Sequence, residues 1–236
     1  MSHNLDFQAE LKAAQAELLK NPGSVDNWNR AAIALIELGD LNKAADYIGH
    51  AIALEPGEAL HYSNRGRVLF ALERPNEALE DYTRAIELAP GADLYSSRSV
   101  IYMVLGRDAA ALSDLNDAYD LDPSVTNLLN RAAFFSNKGM AADALRDVSK
   151  VIELEPENPN HRLTRANLAF ALASHYPELY EMGINDVEEA IKLDKEGVLS
   201  QSLIQLADQL ESYIGSSPNP EVSRRLINLI RGNQAQ

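Results

Sequence analysis

The chain has no cysteine, which excludes disulfides, thiolate catalysis and thiolate-bound metal. It has five histidines (His3, His50, His61, His161 and His175), and none stands in an HExxH arrangement, so the helical zinc-hydrolase signature is missing. No GxxxxGK followed by Ser or Thr, and no GxGxxG, is present to cradle phosphate, and no GxSxG marks a serine as nucleophile. Carboxylates such as Glu188-Glu189, or Glu153 with Glu155, read as solvated helix faces rather than paired catalytic acids. The sequence therefore predicts no catalytic residue, no metal and no cofactor. Long apolar runs are also lacking: nowhere do about 18 such residues follow one another. The start, MSHNLDFQAELK, does not place a cationic segment before an apolar one. Both absences predict a soluble, cytoplasmic protein with no membrane partner. Positive charge is scarce too, with 21 Lys+Arg against 35 Asp+Glu and a formal charge of −14. Such a field opposes nucleic acid and anionic lipid, and favours basic or apolar partners.

What the chain does have is a repeated unit, seen most clearly from Gly57 to Pro90. Tyr62, Gly66, Leu69 and Leu72 fall on one face of a first helix, and Ala78, Tyr82, Ala85, Ile86 and Leu88 do the same for a second. Glu73-Arg74-Pro75-Asn76 separates the two, with Pro75 in the first turn of the new helix, where proline is tolerated best. Pro90-Gly91 ends the unit, because proline cannot continue the hydrogen-bond ladder. The closing signature recurs as Leu54-Glu55-Pro56, Leu88-Ala89-Pro90, Leu121-Asp122-Pro123 and Leu154-Glu155-Pro156, its prolines 34, 33 and 33 residues apart. Small residues recur with it: Ala32, Gly66, Ser99, Ala132 and Ala166 in the first helices; Ala44, Ala78, Ala111, Ala144 and Gly183 in the second. Small residues at crossings let helix backbones approach, and large apolar ones fill the space that remains.

A helix-turn-helix unit of this period resembles the tetratricopeptide repeat. The resemblance covers Ser24 to about Asp194 and implies an all-α, right-handed superhelical solenoid of about five units with capping helices at both ends. An N-terminal capping helix is expected within 1–23, with Phe7, Leu11, Ala14 and Leu18 on its inner face. The array is expected over 24–195, as 24–56, 57–90, 91–123, 124–156 and 157–195. Capping helices and a tail are expected over 196–236: one helix from Val198 to Tyr213, a break at Gly215 to Pro220, and a short helix with Val222, Leu226, Leu229 and Ile230 inward, ending at a tail from Gly232. The fifth unit departs from the pattern. Arg162 stands where the leading aromatic belongs, Lys195 replaces the closing proline, and an insertion of about five residues falls within 174–182. That insertion, with Tyr176 and Tyr180, reads either as a loop that meets a partner or as an extended helix end.

Two columns of charge vary together. Arg65, Arg98, Arg131 and Arg165 share one, and Asp81, Asp114, Asp147 and Asp186 the other, whereas the first unit has Ala31 and Tyr47 in those places. Their joint loss predicts an Arg–carboxylate pair inside each hairpin, two-pronged because guanidinium binds both oxygens.

In the family resembled, first helices line a concave groove that holds a partner peptide or helix. Carried over by position, the groove residues are Asn29, Ile33, Ile36, Asn64, Arg67, Phe70, Val100, Met103, Asn130, Asn167 and Phe170. Ile36, Phe70, Met103 and Phe170 share a column, either as an apolar strip offered to a partner or as side chains half-buried against the next unit. The family's clamp for the C-terminal carboxylate of heat-shock chaperones uses two lysines, two asparagines and an arginine. Only Asn64 matches it; Asn29, Ile33, Asp93 and Ser97 take the other places, and an aspartate there would repel a carboxylate. The expected function is thus a non-enzymatic adaptor or scaffold for a protein segment. The alternative is a repeat protein that assembles with itself as a homo-oligomer.

Overall fold

The computed structural model describes residues 2–173, 175–195, 197–212 and 220–233. Among them are thirteen α-helices and no strand. The chain forms two compact units, Met1–Pro123 and Ser124–Gln236. No described helix is long and apolar enough to cross a membrane.

Met1–Pro123 holds α1 (Ser2–Lys20), α2 (Val25–Glu37), α3 (Leu41–Leu54), α4 (Ala59–Ala71), α5 (Pro75–Leu88), α6 (Ala92–Val104) and α7 (Asp108–Leu121). Each packs on its sequence neighbours, the contact pattern of a solenoid. The starts follow from local chemistry. Ser24 caps α2 by accepting from the Asn27 amide, Asp40 caps α3 by accepting from Lys43, and Pro75 opens α5. The hairpin turns need a left-handed residue, supplied by Gly39 (φ 81°) and Gly106 (φ 69°), but by Glu73 (φ 58°) in the second repeat. Ala14 and Leu18 of α1 are buried, as its amphipathic pattern predicts, and Leu11 packs on the first core. The small-residue columns mark where helices touch. Ala44, Ala78 and Ala111 are fully buried, and a Cβ on Gly66 would lie 2.9 Å from the Tyr82 ring.

Ser124–Gln236 holds α8 (Val125–Asn137), α9 (Ala141–Leu154), α10 (Pro159–Leu172), α11 (Glu178–Leu193), α12 (Ser200–Ser212) and α13 (Pro220–Asn233). Its main core joins Leu163, Ala166, Val187, Leu203, Leu206 and Leu226. Gly183 is the tightest crossing, with the Phe170 ring 2.6 Å from where a Cβ would stand. Three expectations change here. Val198 is exposed and precedes α12, which starts at Ser200. Ile227, not Leu229, faces inward on α13, because two apolar residues two apart cannot both point at one core. The helix also continues through Gly232 to Asn233. Ser174, Tyr213, the break expected from Gly215 and the tail from residue 234 lie outside the described residues, as does the Val222 side chain.

Candidate functional site

The paired charges meet in all four repeats. Arg65 donates from Nε and Nη2 to both Asp81 oxygens at 2.8 and 2.7 Å, and Arg98 does so to Asp114 at 2.8 Å for each bond. Arg131 reaches Asp147 at 2.7 and 2.9 Å, and Arg165 reaches Asp186 at 2.7 and 2.8 Å. The partners are 16 residues apart in the second to fourth repeats and 21 apart in the fifth, which measures the insertion as five residues. All four aspartates are buried. Their hydrogen bonds hold Arg65, Arg98 and Arg165 above the usual arginine range, against the opposing effect of burial. The first repeat substitutes aromatic packing. Ala31 is buried, the Tyr47 hydroxyl accepts from Gln15 of α1, and Trp28 meets Tyr47 edge-on at 5.0 Å while stacking on His50 at 4.2 Å.

A second recurring bond ties the start of the first helix in the first, second and fifth repeats. Trp28 Nε1 donates to the Pro22 carbonyl at 2.9 Å, and the Tyr62 hydroxyl donates to Pro56 at 3.2 Å. Arg162, out of pattern by residue type, donates from Nη2 to Pro156 at 3.5 Å. One residue earlier, His61 and His161 are buried and bond Glu55 and Glu155 at 3.3 and 2.8 Å. Their column turns towards the preceding helix end, where a carboxylate receives each ring.

These contacts orient the first-helix faces, where the expected site residues lie. In Met1–Pro123, Ile33 is 57% exposed and Val100 42%. Arg67 is exposed and makes no ion pair among the described residues, and Asn29 and Asn64 are half-buried. Ile36 and Phe70 pack against the cores beneath them, and Met103 is half-buried. Tyr82 was predicted as a space-filling residue. It is buried, with its hydroxyl bonded to Ser97 of α6 and in the fields of Arg67 and Asp93. Burial raises its pKa, with the Ser97 bond opposing. In Ser124–Gln236, Asn130 and Asn167 are exposed, whereas Phe170 lies over Gly183 with its ring centroid 5.3 Å from that of Tyr180. A cleft of about 230 Å³ beside Asn167 is lined by Asn160, Thr164, Gln205 and Gln209. The last two belong to α12; their spacing of four residues on one polar stripe was the available signal.

Comparison with known proteins agrees with the helical geometry. The family model described as tetratricopeptide repeat matches residues 25–58 and again 59–91. Residues 25–91 are thus two tetratricopeptide repeats by this measure. The small glutamine-rich tetratricopeptide repeat-containing protein 2 of Mycosarcoma maydis is 28% identical over 89 residues, 38% of this chain. The chain matches only 25% of that relative's length. Among solved structures, it is similar to the C-terminal part of a TPR repeat-containing protein from Cytophaga hutchinsonii, at 15% identity and a TM-score of 0.78 over 97% of this chain and 92% of that one. It is also similar to YrrB, a TPR protein with an unusual peptide-binding site, at 20% identity and a TM-score of 0.59 over 80% and 96%. At these identities the likeness speaks for the fold alone.

The fifth repeat's insertion separates its two tyrosines. Tyr176 is 51% exposed, in the connection before α11. Tyr180 is not a loop residue: it lies in the first turn of α11, 5% exposed, and its hydroxyl bonds that of Ser223 on α13. Two of the five extra residues lengthen α11 to 16, against 14 in the other second helices, and Tyr180 joins the core from the first turn of α11.

Proposed function

We propose that this chain is a non-enzymatic interaction module whose first-helix faces hold a segment of a partner protein. The observation that carries this reading is the make-up of that face in Met1–Pro123. Two exposed aliphatic side chains, Ile33 and Val100, stand at repeat-matched positions on either side of Arg67, a cation with no ion-pair partner among the described residues. Apolar anchors supply most of the affinity in such contacts, and Asn64, Arg67 and Ser97 offer hydrogen bonds to a bound backbone. The overall charge of −14 draws in basic segments from a distance, so a partner with apolar anchors and basic flanks fits best. Ile36 and Phe70, packed into cores, act as supports for the face.

The test is binding of partner proteins or peptides to wild type and to Ile33→Ser with Val100→Ser, the fold being checked by circular dichroism. Loss of binding in a folded double variant is expected; retention would exclude this face. A second reading, self-association, is favoured by one feature of the other unit. Leu229 is 40% exposed and lines, with Ile191, a mostly apolar recess of about 460 Å³ between α11 and α13. Light scattering at two concentrations decides it: a constant monomer mass removes this reading, whereas a concentration-dependent mass abolished by Leu229→Ser supports it.

A further inference from the structure

The arginine of the second repeat differs from its counterparts in what stands beyond it. In the third and fifth repeats its remaining nitrogen donates to a hydroxyl on the preceding repeat: Arg98 Nη1 to Thr83 at 3.2 Å, and Arg165 Nη1 to Ser149 at 3.3 Å. Thr83 and Ser149 each stand two residues after a paired aspartate. The matching position in the first repeat is Gly49, and a Cβ built there would lie 3.7 Å from Arg65 Nη1. Among the described residues no side chain accepts from Nη1, and Arg65 is 30% exposed, against 15% for Arg98 and 19% for Arg165. The space opens as a cleft of about 570 Å³ between α3, α4 and α5, within the range of specific binding pockets.

The charges around the cleft define what fits. Asp81 is taken by Arg65, and Glu77 by Arg74 at 2.5 Å. Asp46 and Glu80 also line the cleft, are exposed, and make no ion pair among the described residues. Arg65 therefore requires an oxygen acceptor, while the rim repels an anion. A neutral oxygen beside a cationic group satisfies both demands.

We propose that this cleft is a second docking site, on the second-helix side, for a basic polypeptide segment. A hydroxyl or carbonyl oxygen of the segment lies beside Gly49 and accepts from Arg65 Nη1, as Thr83 and Ser149 do within the chain. A neighbouring lysine or arginine of the segment meets Asp46 and Glu80. The site is separate from the first-helix face and does not depend on it.

The test is an NMR titration of the ¹⁵N-labelled full chain with the blocked peptide Lys-Ser-Gly-Lys-Ser-Lys and with its counterpart carrying Glu for each Lys. The lysine peptide is expected to shift the Gly49 amide and the Arg65 Nε–H, and the glutamate peptide to leave both unmoved. Gly49→Ser, whose Cβ makes only an ordinary contact, supplies the hydroxyl from within and should weaken binding about five-fold or more, the worth of one hydrogen bond. Equal binding by Gly49→Ser overturns the proposal, since cations would then be gathering on the acidic rim alone. Equal binding of the glutamate peptide also overturns it. So do shifts confined to Ile33, Arg67 and Val100, which would instead favour the first-helix face.

Discussion

Arg131 holds both carboxylate oxygens of Asp147, at 2.7 and 2.9 Å, with the aspartate side chain 3% exposed and the arginine 13%. A pair this buried is costly to break from one side, because the survivor keeps its charge and loses its partner. Asp147→Ala is expected to lower unfolding free energy by about 3 kcal/mol. Urea denaturation followed by circular dichroism measures it, and a loss under about 0.5 kcal/mol would mark the pair as a surface contact.

Glu73 holds the left-handed turn position that Gly39, Gly106 and Gly139 fill in the first, third and fourth repeats. A non-glycine residue there costs about 1–2 kcal/mol, partly offset by the greater freedom glycine has when unfolded. Glu73→Gly should therefore stabilise the protein, by about 0.5 kcal/mol. An unchanged or lower urea midpoint would contradict this.

Gly66 stands 2.9 Å, at its missing Cβ, from the buried Tyr82 ring, and 3.3 Å from the Ala78 carbonyl. Gly66→Val gains a few tenths of a kcal/mol of helix propensity and loses about 1–3 kcal/mol to overpacking. Net destabilisation is expected. Thermal unfolding reads the result, and a raised midpoint would show that the α4–α5 crossing yields.

The His161 hydrogen bond, followed by that of Asn158, holds the Glu155 carboxyl below its ordinary value of 4.5. A carboxyl depressed in the folded state adds stability above its unfolded pKa and loses it as pH falls through the folded one. Asp40, Glu77 and Glu211 are depressed in the same direction by Lys43, Arg74 and Arg231. Stability should thus decline below about pH 4.5. Glu155→Gln should decline less steeply between pH 5 and 3 than wild type, as urea midpoints across that range will reveal. Parallel curves would remove the His161 bond from the account.

Tyr180→Phe deletes the hydroxyl that bonds Ser223 between α11 and α13. A loss of about 1 kcal/mol is expected, with partner binding unchanged. Reduced binding with undiminished stability would return Tyr180 to the surface role that its place in the insertion suggested.

The sequence disclosed most where two columns had to agree. The absence of both charges from the first repeat, at Ala31 and Tyr47, was enough to predict four pairs whose partners lie 16 or 21 residues apart. Single columns said less. Ile36, Phe70 and Phe170 share spacing with an exposed strip, yet burial depends on what packs above them, which no one-helix pattern records. Leu229 was expected inward, but the phase of α13 against its neighbours puts Ile227 there instead. Gly49 carried a signal of another kind. Its importance appears only when Thr83 and Ser149 are seen accepting hydrogen bonds from the neighbouring arginines.

The bond from Arg162 to the Pro156 carbonyl bears on how divergent copies of this repeat are recognised. Trp28, Tyr62 and Arg162 differ in shape, aromaticity and charge, but each extends an N–H or O–H to the carbonyl six positions back. A profile that scores ring character at this column will pass over the fifth copy. One that asks instead for a long donor following a proline by six would retrieve it.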